Sequence, residues 1–285
     1  MTAAIQSLRP TWFTPAAPPR ALLLIAPAMS VRQDFYAPFA EFLRDAGFEV
    51  GTFDYRDAGF GARQRPAESN VTLLDWRDDV DAMLGEAERR AAGRPVLYCG
   101  HSLGGQLLGL LNRHPSIRAA LTVASGTGYW RHNPKMTLRL LYLWFFAMPV
   151  YTRAFGYFPG RRLGKVGDLP REIALSWAAW CRHPEYLMGD EAMRAQAAYA
   201  AVTAPILSVS FDDDTYVPQP AVEQLHGWFR NAPVDRRHMT PGSAGGKAVG
   251  HFGFFKLGRG HALWREAAHW LVAQSESPQP RATAA

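Results

Sequence analysis

Cysteine is nearly absent: the 285 residues hold two, Cys99 and Cys181. Two thiols cannot staple a disulfide framework, and Cys99 sits inside an apolar run where a buried thiol packs as a small hydrophobe, so the usage points to a reducing compartment. The N-terminus shows no basic region followed by an apolar stretch, which is the pattern of a secretory leader, and a cytoplasmic location is expected. Nor is there a run of the ~20 apolar residues that cross a bilayer. The uncharged apolar stretch at residues 140–152 is shorter and is interrupted by Pro149. The carboxylates Asp212 to Asp214 have no second cluster of carboxylates or histidines at ligand spacing, so neither a metal nor another cofactor is expected. No nucleic-acid recognition motif occurs, and no internal repeat.

What is present is the composition of a packed soluble globule, 48% hydrophobic and 20% charged. Short apolar runs alternate with amphipathic stretches. Residues 21–26 (ALLLIA), 48–55, 95–99 (PVLYC), 118–124, 205–211 (PILSVSF) and 234–239 read as strands. Between them, helices are expected at 35–46, 73–87, 103–112, 220–229 and 262–273, with Gly59, Gly61 and Pro66 marking a loop. This alternation predicts an α/β domain with a mostly parallel sheet covered by helices on both faces. It stops for about eighty residues. The core therefore comprises residues 1–126 and 204–285, with 127–203 inserted between them. Residues 275–285 read as a disordered tail.

The inserted segment is built differently from its surroundings. The net charge is +6, yet residues 131–171 hold eight basic residues and one acid, Asp168, so the basic excess lies wholly there. Ten of the 35 aromatic residues fall between positions 129 and 158.

Gly100-His101-Ser102-Leu103-Gly104 is a G-x-S-x-G motif between an apolar strand and a helix, the context in which it presents a serine nucleophile. The turn lifts Ser102 Oγ above the strand end, and the helix aims its first amides at a developing oxyanion. A serine hydroxyl needs a general base, and the base needs an orienting acid. Asp212, Asp213 and Asp214 follow the resumed strand, and His251 follows the last one, giving the chain order Ser, Asp, His. His261 is the rival base, His238 reads as a packed strand residue, and His101 as a hydrogen-bonded neighbour of the serine.

From LLLIAPAM, FYAPFAEFLRDAGFEVGTFDYRDAGFG, GHSLGGQLLGLL, DDDTYVP and GHFGFF, the chain resembles the α/β-hydrolase superfamily over residues 21–271. Within it the likeness is to the lysophospholipase and monoacylglycerol-lipase-like branch labelled serine aminopeptidase S33. The resemblance implies Ser102 as nucleophile, His251 as base and Asp214 as acid, with an oxyanion hole from the amides of Leu103 and Met29. The chain departs from the branch at Pro27-Ala28, where His-Gly is common, and at Phe211-Asp212, which leaves Asp212 and Asp213 open as the acid. The opening pair of antiparallel strands is expected to be incomplete, one of them missing or degraded around residues 5–13.

In this fold such an insertion forms a helical lid over the nucleophile. Its aromatics, Trp130, Trp144 and Phe145 among them, are expected to line an acyl pocket or to fasten the lid to the body. The expected activity is hydrolysis of a small-molecule carboxylic ester with a medium or long acyl chain. Thioesterase, acyltransferase or peptidase chemistry at the same site is the alternative, as is a non-catalytic binding protein. The basic, aromatic lid also suits peripheral contact with an anionic membrane, against the plain reading of a solvated surface. The oligomeric state is not readable from the sequence.

Overall fold

The computed structural model describes residues 8–58, 65–163, 167–243 and 246–277. Gly59, Gly61 and the tail from 278 onward lie outside them. In chain order the strands are β1 (Thr11–Phe13), β2 (Ala21–Ala26), β3 (Phe48–Thr52), β4 (Val96–His101), β5 (Ile117–Val123), β6 (Tyr157–Phe158), β7 (Leu169–Pro170), β8 (Ile206–Phe211) and β9 (Val234–Met239). Seven form one sheet in the order β1-β3-β2-β4-β5-β8-β9, parallel throughout except where β1 meets β3. β6 and β7 pair only with each other, antiparallel.

The helices are α1 (Ala37–Asp45), α2 (Leu73–Ala91), α3 (Leu103–Leu107), α4 (Thr137–Leu141), α5 (Met148–Phe155), α6 (Arg171–Arg182), α7 (Glu191–Gln196), α8 (Gln219–Gly227) and α9 (His261–Glu276). A π-helical turn, Tyr142–Ala147, joins α4 to α5.

All six residues of β2 are buried, and their side chains alternate between two cores as a strand period of two requires. Leu22, Leu24 and Ala26 join α2 and the inserted segment on one face, where Trp76, Val80 and Met83 pack. Ala21, Leu23 and Ile25 join α1 and α9 on the other, with Phe39, Leu43 and Trp264. Helix α2 starts on a capping box in which Thr72 and Asp75 satisfy each other's backbone N–H groups.

Topology then places the site. β2 runs on to β3 on one side, whereas β4 runs on to β5 on the other. The segments leaving their C-terminal ends diverge, which opens the crevice where open α/β sheets bind ligands. Met29 follows β2 there, and Ser102 follows β4.

As expected, the opening antiparallel element is degraded: among the described residues it consists of the three residues of β1, paired Thr11 to Thr52, Trp12 to Gly51 and Phe13 to Val50. Three other expectations need adjustment. Helix α3 ends at Leu107 and tightens into a 3-10 turn, Leu108–Leu110, rather than running to 112. Ser275 and Glu276 belong to α9 and not to a tail. The inserted segment adds the small β6–β7 ribbon to its helices.

Candidate active site

Ser102 sits between β4 and α3 with φ 50° and ψ −108°, a conformation that costs of order 1–3 kcal/mol in a non-glycine residue. The flanking glycines make the turn possible. A Cβ on Gly104 would lie 2.2 Å from the Ala26 carbonyl oxygen, and one on Gly100 would lie 2.5 Å from the Gly105 nitrogen. Strand and helix therefore approach more closely than any side chain allows. Ser102 N–H donates to the Val123 carbonyl at 3.0 Å, which ties the turn to the neighbouring strand.

Ser102 and His251 both line one cavity of about 370 Å³, with Met29 and Ala28 at its wall. His251 Nδ1 donates to Asp214 Oδ2 at 2.8 Å, and both side chains are buried, 6% and 0% exposed. The other oxygen of Asp214 accepts the N–H groups of Tyr216 and Val217 at 2.8 and 3.0 Å. That carboxylate is thus held in place and aimed at the ring, and the bond fixes the proton on Nδ1, leaving Nε2 as an acceptor.

The three aspartates separate by contact. Asp213 accepts from Val249 N–H (2.8 Å) and Gly250 N–H (2.9 Å), so it staples the loop that carries His251. Asp212 is exposed, 3.8 Å from His238. His238 also bonds Ser210 Oγ at 2.9 Å. His261, at the start of α9, packs on the rings of Phe42 and Trp264 and does not line the cavity.

His101 is fully buried between the loops of the site. Its Nε2 donates to the His251 carbonyl at 2.9 Å. Nδ1 must then be the acceptor, and Tyr36 O–H donates to it at 2.9 Å. Tyr36 Oη in turn accepts from Ala28 N–H at 2.8 Å. One directed chain of hydrogen bonds thereby joins the loop after β2, the serine turn and the histidine loop. Burial, reinforced by the nearby His251, holds His101 well below the usual histidine range, and it stays neutral. Ala28 N–H is engaged, whereas the N–H of Met29, the next residue, has no acceptor among the described residues. Leu103 opens α3, so its N–H has no intrahelical acceptor.

Of the aromatics singled out from the sequence, Trp144 lines the cavity. Trp130 and Phe145 do not; they meet edge to face at 6.1 Å outside it, with Arg131 over Trp130 and Arg182 over Phe145. The helical phase carries one side of the α4–α5 helix inward and leaves Phe145 48% exposed. Trp177 and Tyr186 line the cavity without having stood out in the sequence. Among the described residues no group of three His, Cys, Asp or Glu could hold a metal ion, and no helix is long and apolar enough to cross a membrane.

A family model described as serine aminopeptidase, S33, matches residues 17–169, just over half the chain. Among curated proteins, none matches the sequence. Solved structures are similar along almost the whole length. A monoacylglycerol lipase of Paleococcus ferrophilus shares 15% identity at a TM-score of 0.60, covering 93% of this chain and 98% of its own. A soluble variant of monoglyceride lipase from Saccharomyces cerevisiae, in complex with a substrate analog, shares 13% at 0.65, covering 94% and 92%. Est1E from Butyrivibrio proteoclasticus shares 13% at 0.58, covering 94% of each chain. These likenesses show a common α/β-hydrolase fold, and the family match covers β2, the serine turn and the start of the inserted segment. The chain belongs to the serine aminopeptidase S33 family of α/β-fold serine hydrolases.

Proposed function

We propose that the protein hydrolyses carboxylic esters of medium or long acyl chains, with Ser102 as nucleophile, His251 as general base and Asp214 as the acid that orients it. The observation that carries this reading is the buried Asp214–His251 hydrogen bond, with its imidazole opening on the same cavity as the strained Ser102. In the first step Ser102 Oγ bonds to the ester carbonyl carbon while its proton passes to His251 Nε2. The oxyanion is received by the Leu103 and Met29 amides. Collapse expels the alcohol, which takes the proton from His251, and leaves an acyl-enzyme that water hydrolyses by the same steps.

Two features support esters over peptides and a long chain over a short one. No aspartate or glutamate lines the cavity among the described residues, so nothing there would hold a substrate amino terminus. Leu140, Leu143, Trp144 and Met148 supply an apolar wall from the inserted segment, which we take to act as a lid. Each methylene buried against it contributes about 0.8 kcal/mol. Assays on a p-nitrophenyl ester series should show kcat/KM rising with chain length, and Ser102→Ala should lower it at least about 10³-fold while the circular dichroism is kept. Absence of turnover at every chain length would instead favour a binding protein.

The same reading extends to a lipid surface as the source of substrate. Leu138, Tyr142, Phe146, Val150 and Phe155 stand exposed along the α4–α5 helix. Arg131, Lys135 and Arg153 beside them have no carboxylate partner among the described residues. Apolar and cationic side chains on one face suit an anionic membrane interface. Cosedimentation at low salt should be stronger with anionic than with neutral vesicles; equal binding to both contradicts it.

A further inference from the structure

The cavity runs beside one helical path, formed by α4, the π-helical turn and α5, which follow one another without a break from Thr137 to Phe155. Its lining residues recur on that path at the spacing of one helix face: Arg139 and Leu140, Leu143 and Trp144, then Met148. Burial deepens in the same order. Arg139 is exposed, Leu140 and Leu143 are half-buried, and Trp144 and Met148 fall to 5% and 0% exposure. Thr152, one turn further along the same face, is wholly buried and no longer lines the cavity. The cavity therefore opens at the Arg139 end and tapers shut at Met148.

The other buried lining residues belong to its sides. Gln106 stands one helical turn after Ser102, where it donates to the Gly126 carbonyl at 2.7 Å and accepts from Tyr186 O–H at 3.2 Å. That pair lies beside the nucleophile. Trp144 packs on Trp177 with ring centroids 4.8 Å apart, which makes a stiff lateral wall. Met148 is an unbranched thioether that also belongs to the core shared by α2 and the inserted segment. A core filler and a channel end differ in what they control. The first governs stability alone, whereas the second governs which chain lengths fit.

From Arg139 to Met148 the path advances about 13 Å at a helical rise of about 1.5 Å per residue. An extended acyl chain advances about 1.3 Å per carbon, so the channel holds at most about ten. We infer that Met148 is the stop of the acyl channel and limits the protein to medium-chain acyl groups of at most about ten carbons. This rests on the ester-hydrolase reading and narrows its substrate class: the gain in kcat/KM with chain length ends where the channel does. A longer chain must displace packed side chains, which is unfavourable in a filled interior.

The test measures kcat/KM on p-nitrophenyl octanoate and p-nitrophenyl tetradecanoate, below their micelle concentrations, for the wild type, Met148→Ala and Met148→Val. The ratio of the longer to the shorter ester should be about 0.1 in the wild type. Met148→Ala cuts the side chain back to Cβ and should raise that ratio about tenfold, to near one. Met148→Val should raise it by a smaller factor, and it carries the comparison where circular dichroism shows the alanine variant unfolded. A wild-type ratio of one or more overturns the inference while leaving the ester reading intact. So does a ratio that keeps its wild-type value in a folded variant, which is the result for a methionine that only fills the core. Turnover of neither ester, nor of p-nitrophenyl butanoate, overturns the ester reading itself, and this inference with it.

Discussion

Asp213 and Asp214 are chemically identical neighbours with different employment. Asp214 faces the His251 ring, whereas Asp213 spends both oxygens on the backbone of the loop that presents that ring. Substituting them should separate orientation of the base from anchoring of its loop. In Asp214→Asn the amide can present an N–H to Nδ1, which favours the wrong tautomer, and kcat should fall roughly 10³- to 10⁴-fold. Asp213→Asn keeps an acceptor but forfeits the charge, and should cost roughly tenfold in kcat, together with about 1–2 kcal/mol of stability. Steady-state kinetics and urea unfolding of the two variants check this; equal losses of kcat would contradict the division of roles. The acidic triplet was legible in the sequence, but its allocation was not, because which oxygen meets which N–H depends on a loop returning from 37 residues away. His101 illustrates the same limit. Its place beside the serine was plain, while its partners, Tyr36 and the His251 carbonyl, lie 65 and 150 residues distant.

At the level of elements, β5 and α8 are joined by a buried histidine. His226 Nδ1 donates to the Val222 carbonyl at 2.8 Å, so Nε2 accepts from Thr122 Oγ1–H at 2.9 Å. Burial, aided by the charge of Arg236, pushes its pKa down to about 4, from 6.5 in the unfolded chain. Between those values the unfolded state takes a proton that the folded state refuses. The contribution is therefore full above pH 6.5 and is lost as pH falls towards 4, by roughly 3 kcal/mol. Urea unfolding of the wild type and His226→Asn across this range should show the wild type's advantage shrinking by about that amount; parallel profiles would contradict it. The parallel strands were the most readable elements. Residues 21–26 and 234–239 match β2 and β9 end to end, and in β2 the cause is plain, since continuous burial leaves an apolar run. Helix α3 was less so: a Cβ on Gly109 would lie 2.0 Å from the ring of Tyr199, a packing constraint from a residue far along the chain. The phase of the α4–α5 helix was illegible for another reason. It carries apolar side chains on both sides, so periodicity could not decide that Trp144 turns inward and Phe145 outward.

Across the whole molecule, two cores on opposite faces of the sheet hold the strand ends in register, and the diverging connections after β2 and β4 open the crevice. The inserted segment supplies an apolar wall of the cavity from Leu140, Leu143, Trp144 and Met148, and the basic excess of the sequence lies in the same segment. The proposed chemistry needs all three parts: a rigid edge to strain Ser102, a loop to deliver His251, and a cover to exclude water from the acyl chain. That convergence is most directly read by treating the protein with a fluorophosphonate and locating the adduct by mass spectrometry. The account predicts one phosphonyl group, on Ser102, formed at least about 10³-fold more slowly in His251→Gln. An adduct on another residue, or labelling at Ser102 that is indifferent to His251, would contradict it.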